Sequence, residues 1–554
     1  MTEKKVKPSV ALTKKKEKPD VTLLALSTMD GDNEKAYRYV EFSNQNRGKE
    51  VRHLFAATDI AEPRLILNRL FAEGLRLDLS EDDRKIIAET LRKDVKERVQ
   101  LCLRPGFTEN GNYLTASGVV LGDTEGFGPL PYPEAQTFFY DELAKGGLHD
   151  WQEKVASLAQ SNSRLILALS SAFSGPCLHL TGIESGGFHF YGPSSTGKST
   201  LMLMAASVFG NSRFVKKWNM TDAAFEQAAE ARNDGILLLD ELKLLGSKKS
   251  ETASMAQSRI YILGSGEGKQ RHTGYQKTVS RWRLVMLSTG EISLGQHATD
   301  GNLTRLDGEK VRVVDVPADA GADFGIFDTV PEKLPPSRFA KRIQLRSSLY
   351  YGTAGPAFIT KMLEEGHSSV KKKIKSHINH FIEHHEIDED DGIAVRMANR
   401  FALAYASGVL ASEYDILPLT EEEIMEGISS CYNAANGAPV KGFDFSSKFK
   451  AALESKLPNL QNKKTYTEEK LDRKPIILTK MIKMQVYAVD TAFFEKNITG
   501  KVKTKDVLDY LRGEEILLPD SKGKSTRAVP YKRESLTRRY CLVKDKLDAW
   551  LAGE

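Results

Sequence analysis

The sequence predicts an α/β protein built around a parallel sheet that carries a phosphate-binding loop, and three stretches predict it. The first is Phe188–Leu201, which reads as a short apolar strand, a loop and a buried helix. The loop, Gly192-Pro193-Ser194-Ser195-Thr196-Gly197-Lys198-Ser199-Thr200, fits G-x-x-x-x-G-K-[ST]. A triphosphate needs donors packed closely around several negative charges. Glycines let backbone N–H groups approach, and the helix N-terminus adds its positive end. Lys198 is expected to reach the β- and γ-phosphates, and the Ser199 hydroxyl to hold Mg²⁺, which prefers oxygen ligands. The second stretch is Gly235–Glu241, where four aliphatic residues end in Asp240-Glu241. This is the pattern of a buried parallel strand delivering two acids at its C-terminal end, where open α/β sheets place their ligands. Asp240 is expected to bind Mg²⁺ and Glu241 to polarise the water that attacks the γ-phosphate. The third is the apolar strand Leu284–Leu287, ending in Ser288-Thr289-Gly290-Glu291. Either Ser288 or Thr289 is expected to sense the γ-phosphate through the attacking water.

At 554 residues the chain has room for two to four domains. Hydrophobic residues at 40% and charged residues at 28% are ordinary for a globular protein with a sizeable core. The net charge of +5 is mild, so any nucleic-acid contact must come from local patches. Cys102, Cys177, Cys431 and Cys541 are far apart with no CxxC pair, which argues against a zinc ribbon or disulfide framework and fits a reducing cytoplasm. No apolar run approaches the roughly 20 residues that span a bilayer. The N-terminal lysines are not followed by a compact apolar core, so no signal peptide is expected.

Taken in order, residues 1–20 read as a disordered basic tail and 21–135 as a small α+β domain. In the latter, Val21–Ser27 and Tyr37–Phe42 are predicted strands, and Asp30-Gly31-Asp32 a turn rather than a metal site. Glu62–Glu73 and Asp82–Val99 carry helical periodicity, and a hairpin is expected to turn at Asn110-Gly111. Residues 136–435 form the core with a helical lid. His149–Phe173 is a predicted helix leading towards the P-loop strand, and Thr221–Glu226 and Glu251–Leu263 are further helical stretches. Gly264–Gly274 is glycine-rich and basic. With Lys269 and Arg271 it reads either as a loop projecting into a pore to touch DNA or as a plain solvated hairpin. Gly308–Pro317 is a predicted strand in which Arg312 lies among apolar neighbours, which is costly without a partner. An ion pair with Asp307 or Asp315 is one reading; an arginine finger offered to a neighbouring subunit is the other. Pro356–Glu383 and Ile393–Glu413 are predicted helices; within them His380–His384 matches H-x-x-E-H but reads as a solvated helix face. Residues 436–474 read as a linker and 475–554 as helix, helix and hairpin, the layout of a winged helix. Its basic loop, with Lys522, Lys524 and Arg527, is expected to act as a wing on DNA phosphates or as a protein contact.

The P-loop, Leu237–Glu241, Ser288–Glu291, Val311–Pro317 and Val395-Arg396-Met397-Ala398-Asn399-Arg400-Phe401 together resemble an MCM-like AAA+ replicative helicase family of bacterial mobile genetic elements. That family includes phage, plasmid and cassette-chromosome helicases long catalogued as a domain of unknown function. The resemblance covers about residues 35–430 and, more weakly, the winged helix. It implies an AAA+ P-loop NTPase core and a cytoplasmic ring, by analogy a hexamer. Such a ring hydrolyses ATP with Mg²⁺ to translocate on single-stranded DNA and unwind forked duplex, with a primase or replication initiator as a possible partner and no membrane. It places Arg312 at the finger motif, Arg396 at the sensor-2 position at the start of a lid helix, and Lys269 and Arg271 in a DNA-contacting hairpin. The chain departs from the pattern in three ways. The serine of the finger motif is replaced, the usual sensor-1 asparagine is absent, and the cysteine pairs of other MCM zinc modules are missing. The competing functional classes are an ATP-switched DNA-binding initiator or regulator and an ATPase that remodels protein partners.

Overall fold

The computed structural model describes residues 21–29, 36–123, 126–133, 135, 144–273, 276–332, 334–388, 390–436, 476–481, 484–499, 504–513, 515–521, 523–531 and 535–552. The basic tail over 1–20, the Asp30-Gly31-Asp32 turn and the linker over 437–474 lie outside them.

The N-terminal part opens with β1 (Val21–Met29), β2 (Tyr37–Asn44) and β3 (Lys49–Ala56), an antiparallel meander. It continues through α1 (Ala57–Ala61), α2 (Pro63–Ala72) and α3 (Glu81–Arg92) into β4 (Arg98–Cys102), which pairs parallel with β1. The helix expected over Asp82–Val99 therefore stops early. Ser80 and Asp83 close a capping box at its start, Lys93 turns extended, and Val99 and Leu101 are buried two residues apart, the period of a strand. β5 (Gly106–Phe107), β6 (Tyr113–Leu114) and β7 (Val120–Leu121) make a small antiparallel sheet, and β8 (Leu130–Pro131) completes the order β3-β2-β1-β4-β8 of the larger one. Phe107 N–H donates to Asp234, and Tyr113 Oη to the Asp234 carbonyl at 3.1 Å, so the small sheet docks on the start of a core strand.

Two helices replace the single one expected over His149–Phe173: α4 (Leu148–Lys154) and α5 (Ser163–Thr181). The chain breaks between them because Ser161 is left-handed and the Asn162 side chain accepts the N–H groups of Asp328 and Thr329. Next come β9 (Gly186–Tyr191), α6 (Lys198–Ala206), β10 (Val215–Lys217), α7 (Asp222–Glu230), β11 (Gly235–Asp240) and α8 (Lys249–Ser265). The hairpin β12 (Arg271–Thr273) and β13 (Gln276–Thr278) leads to β14 (Leu284–Gly290), α9 (Leu294–Asp300), α10 (Asp307–Lys310) and β15 (Val313–Pro317). The strand expected over Gly308–Pro317 is thus a helical turn followed by a shorter strand.

The core sheet is parallel, in the order β10-β11-β14-β9-β15. Its two faces explain the aliphatic run of β11. Ile236 and Leu238 pack with α5 and α6, whereas Leu237 and Leu239 pack with Ile260 and Leu263 of α8. Both faces are covered, so alternation disappears from the sequence.

A helical layer follows: α11 (Pro336–Leu349), α12 (Ala354–Glu365), α13 (His367–His384), α14 (Gly392–Glu413) and α15 (Glu421–Ala435). The run expected over Pro356–Glu383 is divided at Gly366, whose φ of 88° places it in the region that favours glycine. Within α13, His380 meets Tyr405 and Glu421, and among the described residues no cluster of three or more His, Cys, Asp or Glu could hold a metal.

The C-terminal part begins with a hairpin, β16 (Ile476–Met481) and β17 (Met484–Asp490), where a helix was expected. Val486, Tyr487 and Val489 are β-formers packed into the local core. A helical stretch over 491–499, α16 (Thr504–Gly513), β18 (Thr526–Tyr531), β19 (Ser535–Val543) and α17 (Lys544–Ala552) complete it, with strand order β16-β17-β19-β18. Among the described residues no helix is long and apolar enough to cross a membrane.

Candidate nucleotide site

β9 ends at Tyr191 and α6 begins at Lys198, so the loop between them emerges at the C-terminal edge of the sheet. Gly197 has φ 103°, and a Cβ there would lie 2.9 Å from Ile326. Ser195 is also left-handed at φ 67°, a conformation costing a non-glycine residue about 1 kcal/mol. A strap laid down after β15 holds the loop in shape. Ala318 N–H donates to Tyr191 O at 2.8 Å and Ile326 N–H to Thr196 O at 2.9 Å. Buried Arg164 fixes the strap through the carbonyls of Pro317 and Asp319.

Lys198 Nζ folds over the loop and donates to Gly192 O at 2.7 Å and Pro193 O at 2.8 Å. Burial pulls its pKa down, against the opposing charges of Glu291 and Asp240. Ser199 is exposed at the first turn of α6. Thr200, expected to join the ligand contacts, is buried instead, and its hydroxyl accepts a 2.8 Å bond from Gln344 of α11.

The acids lie on the second strand from the loop, with β14 between. Asp240 is buried, and Glu241 is left-handed at φ 62° with its side chain 55% exposed. The Thr289 hydroxyl donates to Asp240 Oδ1 and accepts the Glu241 N–H at 3.2 Å. Strand alternation turns Ser288 the other way, so it is not the hydroxyl that faces the acids. Ser288 Oγ accepts Trp218 Nε1–H at 3.0 Å and bonds His189 Nδ1 at 2.9 Å. His189 Nε2 faces the Ile292 carbonyl, which can only accept, so Nε2 carries the proton and Nδ1 accepts from Ser288. Burial pulls the His189 pKa down to about 4, keeping the ring neutral.

Lys217 is a member of this site that the sequence does not mark. From the end of β10 its Nζ lies 2.8 Å from Asp240 and 3.1 Å from Glu241, bridging both acids. Burial opposes its charge, but the two carboxylate bonds outweigh it and leave the pKa raised. A three-residue strand reading Val-Lys-Lys gives no periodic signal, so nothing marks this lysine before the sheet order is known. Glu291 accepts from Ser194 of the loop at 3.0 Å and pairs with Lys243; those bonds hold its pKa below the usual range.

Arg312 and Arg396 are not brought to this edge. Arg312 O accepts Gly187 N–H, so the residue sits at the start of β9, at the opposite end of the sheet. Neither expected aspartate is its partner: Asp307 pairs with Lys310 at 2.9 Å, and Asp315 is taken by Arg305 and by the Leu294 and Gly295 N–H groups. Arg312 donates to Gly308 O at 2.8 Å, stacks 5.2 Å from the Tyr261 ring centre and lies 3.9 Å from Glu184. Its side chain keeps 21% exposure. Arg396 is exposed in the first turn of α14. One turn on, buried Arg400 donates to the carbonyls of Val311, Glu184 and Ser185, which anchors that helix at the same far end.

Lys269 precedes the β12–β13 hairpin and pairs with Asp222 at 2.7 Å. Asp222 also faces Arg259, which donates to Trp218 O at 2.9 Å, next to Lys217. Arg271 lies on β12, opposite Thr278, and its side chain is outside the described residues. The basic loop of the C-terminal part is not the hairpin tip. Lys524 sits in a tight turn closed by Asp520, Arg527 lies on β18 opposite Arg539, and Lys522 lies outside the described residues.

A protein-family model described as a domain of unknown function, DUF927, matches residues 22–281, a little under half of the chain. No curated protein matches it. Among solved structures, "SCCmec type IV Cch - active helicase" is similar over 96% of this chain and 95% of that one, with a TM-score of 0.55 and 18% identity. The chain therefore has a mixed α/β fold shared, over nearly its whole length, with a helicase structure.

Proposed function

We propose that this protein is an ATP-driven DNA helicase of the MCM-like AAA+ kind, working as a ring of subunits. The observation that carries the reading is the convergence of the P-loop with Asp240, Glu241 and Thr289 at one edge of a parallel sheet, where Ser194 of the loop bonds Glu291 just past β14 and Thr289 of β14 bonds Asp240 and Glu241. The shared fold with an active helicase supports the choice of chemistry.

In this reading the loop N–H groups and Lys198 bind the β- and γ-phosphates, with Lys198 exchanging its carbonyl partners for phosphate oxygens. The exposed Ser199 hydroxyl and the Asp240 carboxylate are the oxygen donors that suit Mg²⁺, which takes one or two protein ligands beside phosphate and water. When bound, the ion neutralises charge that develops on the phosphates. Glu241 orients and polarises the attacking water, and Thr289 fixes the Glu241 backbone and the Asp240 carboxylate together. Lys217 holds both acids and must yield at least one for hydrolysis. Arg312 lies about 13 Å along the sheet from its own loop, so as a finger it serves the site of another subunit, and Arg396 shares that end. A finger supplied in this way is worth about 10³ to 10⁵ in rate. The β12–β13 hairpin is the DNA contact, with phosphate competing against Asp222 for Lys269.

The test is unwinding of a fluorescently labelled forked duplex with ATP and Mg²⁺. Strand separation by the unaltered protein, lost in Lys198→Ala and in Lys269→Ala with basal hydrolysis kept in the latter, is expected. Nucleotide hydrolysis without strand separation on any fork would contradict the helicase assignment.

A further inference from the structure

The helix α11 carries Arg338, Lys341, Arg342 and Arg346 and no acidic residue. Phe339, Ile343 and Ser347 bury its inner side, while Arg338, Lys341, Arg342 and Leu345 form an exposed stripe at helical spacing. Leu345, at its C-terminal end, is 59% exposed. Among the described residues, none of the four cations has a carboxylate within ion-pair distance. Arg338, Arg342 and Arg346 repeat every four residues, a spacing at which like charges destabilise a helix. An uncompensated stripe of this kind is relieved by an anion running along it. The same helix reaches the nucleotide site from behind, since Gln344 bonds Thr200, the residue after Ser199. α13 also bears exposed Lys371, Lys372 and Lys375, but no such bond links those lysines to the P-loop helix.

We infer that the outer face of α11 is a second contact for the phosphate backbone of single-stranded nucleic acid, separate from the β12–β13 hairpin and coupled through Gln344 to the P-loop helix. Arg338, Lys341 and Arg342 neutralise phosphates, and Leu345, about one turn further along the helix, covers a sugar or base face beside them. The inference rests on the DNA-motor reading for the identity of the polyanion, and it adds a surface that the motor reading does not need.

The experiment is fluorescence anisotropy of a labelled single-stranded oligonucleotide over a series of salt concentrations, on the full chain. Removing three phosphate contacts from a single strand should lower the slope of log K against log salt by about 2. The variant Arg338→Ala/Lys341→Ala/Arg342→Ala is expected to show that loss and to bind at least tenfold more weakly, with basal ATP hydrolysis and the melting temperature unchanged. The charge-keeping variant Arg338→Lys/Lys341→Arg/Arg342→Lys, which keeps falsification possible if the alanine variant misfolds, is expected to retain the slope. An unchanged slope in the alanine variant, with DNA-stimulated hydrolysis intact, would overturn the α11 contact and leave the motor reading standing. A loss of self-association at constant slope would also overturn it and assign the face to a neighbouring copy. Absence of oligonucleotide binding by the unaltered protein would overturn both readings.

Discussion

Thr289 and Ser288 are adjacent hydroxyls on one strand, yet they belong to different networks. Thr289 binds Asp240 and the Glu241 backbone, whereas Ser288 joins Trp218 and the neutral His189 beneath the sheet. The first network is positional: it holds an acid whose left-handed backbone needs support. The second is structural, a buried set in which each polar atom is satisfied by another. Thr289→Val should therefore lower the turnover number for ATP by about 10- to 100-fold, the usual cost of losing a partner that orients catalytic groups, with little change in melting temperature. Ser288→Ala should do the reverse, lowering the melting temperature while nearly keeping turnover. Steady-state hydrolysis beside thermal melts on both variants decides it; equal turnover losses would dissolve the distinction. In the sequence, Ser288 and Thr289 were indistinguishable because their difference is the parity of a strand position, visible only once the pairing with β11 is fixed.

At the scale of elements, the P-loop depends on the strap that follows β15. Gly325 has φ 68°, and a Cβ there would lie 2.4 Å from the Thr196 carbonyl. Gly325→Ala should push the strap off the loop, cost about 1–3 kcal/mol in stability and weaken nucleotide binding measured by titration calorimetry. Unaltered affinity would mean that the loop holds its shape alone. The strap was not legible in the sequence, because an irregular segment has no period to read. The loop itself, β11 and β14 were legible, since a glycine-bounded motif and runs buried on both faces leave strong local signatures. Failures elsewhere have the same origin. Charged residues at 92–98 extend the helical pattern over the first two residues of β4 and hide its two-residue alternation, and β16 and β17 lie in a short, weakly periodic stretch that reads as helix.

For the whole molecule, the sheet separates the two halves of the proposed reaction centre. The loop and acids lie at one end, and Arg312, with Arg400 anchoring the helix that bears Arg396, lies at the other. One chain cannot bring them together, which is the physical reason for proposing a ring. Lys269, Asp222, Arg259 and the Trp218 carbonyl form a continuous path from the hairpin to the residue beside Lys217, so DNA at the hairpin has a route to the acids. The measurement that bears most directly on this account is ATP hydrolysis by the purified chain with and without single-stranded DNA, beside Glu241→Gln. The account predicts hydrolysis that rises several-fold with DNA and disappears in the variant. Hydrolysis indifferent to DNA, or surviving in Glu241→Gln, would contradict it.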